Sequence, residues 1–201
     1  MDSKIDRLYE FWFAGVTPVS IPASASKRWF AGGAALDRRI RDEFGDWVRR
    51  AAEGEFDNWQ ASAKGTLALL LLLDQFPLNI FRGTAQAYAY EERALTCCHR
   101  GLAAGQDRQL GYAERIFFYL PLEHAENAAD QARSVALFSR LAAGAPPELK
   151  AHARATLGYA EKHRDIINTF GRFPHRNAVL GRPQTAAESA FLQDRANRFG
   201  Q

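Results

Sequence analysis

Cysteine is nearly absent from this 201-residue chain. There are two, Cys97 and Cys98, and they are neighbours. Adjacent residues on a helix point about 100° apart, so a bridge between them would be strained. A disulfide framework is excluded, and reduced thiols in a cytoplasmic protein are expected. Long apolar runs are lacking too. The longest, Leu67 to Leu73, has seven residues, against the ~20 that cross a bilayer as a helix, so no membrane partner is expected. The opening MDSKIDRLYEFWF carries acids early and lacks the apolar centre of a signal peptide. Lysine is scarce, five against 21 arginines, and the net charge of +3 is dispersed with no basic block. Nucleic acid is therefore not an expected partner. No GxxxxGKS/T loop and no GxGxxG turn between a strand and a helix occurs, which excludes nucleotide binding through those loops. No Cys pair, HExxH or paired ExxH motif occurs either, so neither a metal nor a cofactor is expected.

Period-two alternation is also missing, and nearly every segment carries the 3.6-residue period of a helix. Ser3 is placed to cap a first helix with Ile5, Leu8, Tyr9 and Trp12 inward. Leu36, Ile40, Phe44, Trp47, Val48 and Ala51 form one face of a second, with Asp37, Arg38, Arg41, Asp42, Arg49 and Arg50 opposite. Ala68 to Asp74 is apolar all round, which predicts a central buried helix stopped by Pro77. Thr84 is placed to cap the next helix, which runs to Gly101 or Gly105. Tyr112 to Leu120 follows, ended or kinked by Pro121. Asn127 to Ala143 is helical. Pro147 starts a long helix that reaches Phe170 and closes on Gly171. Thr185 with Glu188 makes a capping box for a last helix. The expectation is an all-α domain spanning residues 1–201, with about seven or eight helices in antiparallel pairs.

Chemistry-bearing residues gather in four places. The first is Leu120 to Asn127, where His124 and Glu126 belong to a polar stripe of Glu123, Glu126, Asn127, Asp130, Arg133 and Ser134 at helical spacing. A carboxylate beside a histidine suits acid–base work, while a polar stripe equally suits a solvated helix face. The second is His163-Arg164-Asp165. This triplet also occurs in kinase catalytic loops, but no Gly-rich loop, strand Lys or Asp-Phe-Gly accompanies it. His163 reads as a ligand-facing group or a hydrogen-bonded core histidine. The third is the corner Arg172-Phe-Pro-His-Arg-Asn177, just past a helix end, where His175 suits proton transfer and Arg172, Arg176 and Asn177 suit ligand binding. Its structural alternative is a braced turn. The fourth is Asp74-Gln-Phe-Pro-Leu-Asn79 with Arg82. An acid ending a Leu-rich helix needs a partner, and an arginine is expected.

Read together, LLLDQFPLNIFRG (71–83), YLPLEHAENAADQARSVALF (119–138) and HRDIINTFGRFPHRNAVLGR (163–182) resemble a bacterial family of uncharacterised proteins, the domain-of-unknown-function family 924. The resemblance covers nearly the whole chain. It implies a tetratricopeptide-like all-α array of stacked helix pairs and carries over no reaction. Asp74, His124, Glu126, His163, Arg172, His175, Arg176 and Asn177 match the family pattern. Two positions depart from it: Leu78 stands where the family has Arg, and His124-Ala-Glu-Asn127 stands where it has His-Ser-Glu-Asp. The lost hydroxyl and carboxylate count against a multi-carboxylate or metal mechanism.

The leading expectation is a polar, Arg- and His-lined pocket between helices for a small anionic or amphipathic ligand, with Asp74, His124, His175 and Arg176 converging on it. An enzyme using His124 or His175 as acid/base, oriented by Glu126, is the second reading. A helical scaffold that binds a partner peptide in a groove is the third.

Overall fold

A computed structural model describes residues 2–197. Ten α-helical segments and several 3-10 turns make up the described residues, with one isolated bridge, Thr17 to Ser20, and no strand. The α-helices are α1 (Ser3–Trp12), α2 (Ala23–Phe30), α3 (Ala34–Ala52), α4 (Ala63–Leu70), α5 (Phe76–Ile80), α6 (Glu91–Ala103), α7 (Tyr112–Glu123), α8 (Ala128–Ala143), α9 (Lys150–Phe170) and α10 (Ala186–Phe191). No helix among the described residues is long and apolar enough to cross a membrane.

The core is built on aromatic edges. Phe11, Trp12, Phe44, Phe76 and Phe117 are buried, with Trp12 centred 5.4 Å from Phe76 and 5.5 Å from Phe117. The leucine run of α4 and the turn after it is buried on every side, as its all-round apolarity requires. α7 packs on α8 and α8 on α9, and the short connection from Gly144 to Leu149 makes the last two an antiparallel hairpin. Ile166, Ile167 and Phe173 form a smaller cluster, with Phe170 and Phe191 packed against it. It seats the 171–176 corner on α9.

Several boundaries differ from the pattern-based expectation, each for a local reason. Asp2, not Ser3, caps α1, accepting from the Lys4 N–H at 3.0 Å. Pro77 does not stop the leucine helix. Residues Leu71–Gln75 form a π turn in which the Phe76 N–H reaches back to the Leu71 carbonyl, and the helix resumes as α5. Proline lacks an N–H and clashes with the carbonyl four residues back, so a widened turn just before it relieves both problems. Thr84 precedes only a 3-10 turn, and α6 begins at Glu91. Pro121 lies inside α7, which runs on to Glu123. The polar stripe 123–134 is broken, because α7 ends at Glu123 and α8 starts at Ala128. Glu123 and Ser134 are buried rather than solvated. Asp37 is buried too, and holds Arg82 through two hydrogen bonds of 3.0 and 3.2 Å. The Thr185–Glu188 capping box forms as expected, and Gly171 closes α9 at φ 71°, a left-handed conformation that glycine adopts without strain.

Candidate functional site

The π turn delivers Asp74. Asp74 stands inside this widened turn and is buried with the leucines that precede it. Its Oδ1 lies 2.7 Å from His124 Nδ1, and its Oδ2 accepts from the Gln75 amide. The expected arginine partner is therefore replaced by a histidine, and Arg82 pairs with Asp37 instead. An acid–histidine contact fixes the tautomer: Nδ1 carries the proton toward Asp74, and Nε2 is the other edge of the ring. His124 Nε2 has no hydrogen-bond partner among the described residues, and the side chain keeps 16% of its exposure.

His124 caps α7, and the turn that holds it is itself pinned. Gln131 on α8 donates to the carbonyls of Glu123 at 2.6 Å and Ala125 at 2.8 Å, satisfying helix-end acceptors that would otherwise be orphaned. Asn127 caps α8 by accepting from the Ala129 and Asp130 N–H groups. Burial opposes protonation of His124, but Asp74 first, with Glu91 and Glu123, together outweighs it. The imidazole pKa is held above its ordinary value.

Beneath this pair lies a second one of different character. His163 Nδ1 donates to the Tyr159 carbonyl at 2.8 Å and stands 3.2 Å from Glu123 Oε1. An ion pair would lower the acid and raise the base, and the reverse is found. Burial pushes Glu123 up to about 7 and His163 down to about 3, so the contact is between neutral groups. His175 is also pushed down to about 3, by burial first and then by Arg176. Phe173 stands between the two rings, 5.4 Å from His163 and 5.7 Å from His175.

The 171–182 corner closes over these groups. Glu126 accepts from the Phe173 N–H at 2.7 Å and from Arg182 at 2.6 and 3.0 Å. Arg182 also reaches Asn177 Oδ1 and the Phe173 carbonyl. Burial raises the Glu126 carboxyl, but Arg182 and the Phe173 N–H hold it below the usual range. Arg172 forks onto Glu188 at 2.7 and 2.9 Å, and that contact, with the Thr185 N–H, holds Glu188 down to about 2. Arg176, 5% exposed, donates to Glu91 Oε2 at 3.0 Å and to the His124 carbonyl at 3.1 Å, with its guanidinium over the Tyr88 and Phe173 rings.

The sequence motifs thus meet. Asp74, His124, His163, His175 and Arg176 form one cluster, with Glu126 and Asn177 tying the corner down beside it. Glu126 touches no histidine and orients the corner rather than an imidazole. Arg172 is a brace and Arg82 lies elsewhere. Glu123, read from the sequence only as part of a polar stripe, also belongs to the cluster, as do Arg182 and Glu91, to which the sequence assigned no role. Among the described residues no group of three or more His, Cys, Asp or Glu is arranged to hold a metal ion. A groove of about 440 Å³ between α9 and α10 and one of about 250 Å³ beside Tyr112 and Arg140 lie apart from the cluster. Neither is lined by Asp74, His124, His175 or Arg176.

Residues 8–196 match the model of a family described as bacterial protein of unknown function, DUF924. The chain belongs to this family. The DUF924 chain is also similar to a solved structure of a protein of unknown function, ATU0120 from Agrobacterium tumefaciens. The two are 38% identical over 96% of this chain and 98% of that one, with a TM-score of 0.82. No curated protein matches it. Asp74, His124 and the corner all fall within the part that the DUF924 model spans.

Proposed function

We propose that the protein takes a small polar ligand at His124 and exchanges a proton with it, Asp74 fixing the imidazole for the task. One observation carries this reading. Buried Asp74 occupies Nδ1 at 2.7 Å, while Nε2 has no partner among the described residues and the side chain as a whole is still 16% exposed. A histidine oriented by a carboxylate through one nitrogen and presenting the other is the arrangement of a general acid/base. The same geometry favours a neutral ligand over the anionic one expected from the arginine-rich motifs. Arg172, Arg176 and Arg182 are each already paired with a carboxyl group, and Asp74 and Glu126 would repel an anion.

Labelling with diethyl pyrocarbonate at pH 8, read residue by residue by mass spectrometry, tests the reading. The reagent needs a neutral imidazole nitrogen that it can reach. His124 is expected to label at least ten times faster than His163, which is 8% exposed. Equal or slower labelling of His124 overturns the reading, since a ring closed to the reagent is closed to a ligand.

A further inference from the structure

Glu91 opens α6 and was singled out by no motif, yet it joins the cluster through Arg176. Its Oε2 accepts from Arg176 Nη1 at 3.0 Å, and Arg176 Nη2 donates to the His124 carbonyl at 3.1 Å. One guanidinium therefore ties the carboxyl of α6 to the histidine at the end of α7. Arg176 is itself held over Tyr88 and Phe173, so the tie is rigid. Glu91 Oε1 and Arg176 Nε are both buried and have no hydrogen-bond partner among the described residues. A carboxyl oxygen left unsatisfied in a dry setting costs stability, and such groups concentrate where function needs them. A carboxylate serving only to neutralise Arg176 would gain by engaging both oxygens in a fork, and Glu91 engages one.

Resting on the reading of His124 as a proton-exchanging group, we infer that Glu91 is the second proton-transfer group of the same site, held there by Arg176 with Oε1 left for the ligand. Its chemistry fits. Burial lifts the carboxyl up to about 7, against the opposing pull of Arg176 and His124, so it holds or releases a proton near neutrality. The charged groups around the two are Asp74, Glu123, Glu126 and Arg176. In the step that this permits, His124 Nε2 accepts one proton from the ligand while Glu91 Oε1–H gives one to a ligand oxygen. The ligand leaves with a proton moved and its charge unchanged, and the two groups reset by exchange with water.

The test is a pair of NMR titrations on the full chain, with ¹⁵N-labelled histidine and ¹³C-carboxyl-labelled glutamate. Wild type, Glu91→Gln and His124→Gln are compared. Coupled groups shift each other equally. In Glu91→Gln the His124 midpoint is expected to move down, because a neighbouring carboxylate is gone. In His124→Gln the Glu91 midpoint is expected to move up by the same amount, because a neighbouring cation is gone. A His124 midpoint unmoved in Glu91→Gln, with Glu91 unmoved in His124→Gln, overturns the inference and leaves Glu91 a counter-ion of Arg176. Should Glu91→Gln fail to fold, the His124→Gln arm decides alone with the same sign. Fast carbethoxylation of His124 with uncoupled titrations sinks this inference and spares the His124 reading. Slow carbethoxylation sinks that reading whatever the titrations give.

Discussion

At the scale of single residues, carboxylate neighbours, Asp74 first, set His124 apart from the two other buried histidines of the cluster. His124 donates a hydrogen bond to Asp74 and is raised, whereas His163 and His175 are kept neutral by desolvation. None of this is legible in the sequence, where the three look alike in charge-rich motifs. Membership of the motifs did single them out, and Asp74, His124, His175 and Arg176 do lie close together, but neither of the two grooves is lined by them as the expected pocket would be. The partners did not follow the expectation. Asp74 and His124 are 50 positions apart, and nothing in either motif says that the acid meets a histidine and not an arginine. Removing one member of the pair leaves a buried polar group unsatisfied. His124→Ala is expected to destabilise the fold by about 3 kcal/mol, and Asp74→Asn by less, since the amide still hydrogen-bonds. Urea unfolding of the two variants checks the order.

At the scale of elements, helix ends do the positioning. The helical periods placed most helices well. They failed where proline met a buried run, because a π turn has no period of its own and depends on what the neighbours allow. Between residues 123 and 128 they separated the two helices correctly, and only the polar stripe read across both as one helix face did not hold. Gln131 is the bolt in that turn, giving its amide to the end of α7. Gln131→Ala is expected to cost about 1–3 kcal/mol and to loosen His124, seen as faster amide exchange at residues 122–125. The α6–α7 contact is similarly tight. A Cβ on Gly101 would stand 2.5 Å from Phe118 Cζ, in a wholly buried ring. Gly101→Ala is therefore expected to destabilise by about 1–3 kcal/mol through overpacking, measurable as a lower unfolding midpoint.

At the scale of the molecule, the all-α class was legible from the missing alternation and the repeated 3.6-residue period, and the family from three motifs spread along the chain. The buried titrating cluster was not, and it governs how the whole fold responds to pH. His163 and His175 bind protons in the unfolded chain below about 6.5 but in the folded one only near 3, so their contribution to stability falls as pH drops through that window. Glu91 and Glu123 hold protons in the folded chain up to about 7 but in the unfolded one only below about 4.5, so theirs falls as pH rises from 4.5 to 7. His124, raised when folded, also loses its contribution as pH climbs through its folded value. The two groups cancel between about 4.5 and 6.5, which predicts a plateau there, a loss below 4.5 to which lowered Glu126 and Glu188 add, and a gentler loss above 6.5. Unfolding free energies in urea from pH 3 to 8 check the shape, and His163→Phe should soften the acid limb. The central claim, that Asp74 fixes His124 as the site's proton-exchanging group, is tested most directly by ¹⁵N NMR of the histidine rings through a pH titration. His124 is expected to carry its proton on Nδ1 when neutral, to titrate above the ordinary imidazole value, and to move down in Asp74→Asn. A neutral His124 protonated on Nε2, or a midpoint unmoved by Asp74→Asn, would contradict it.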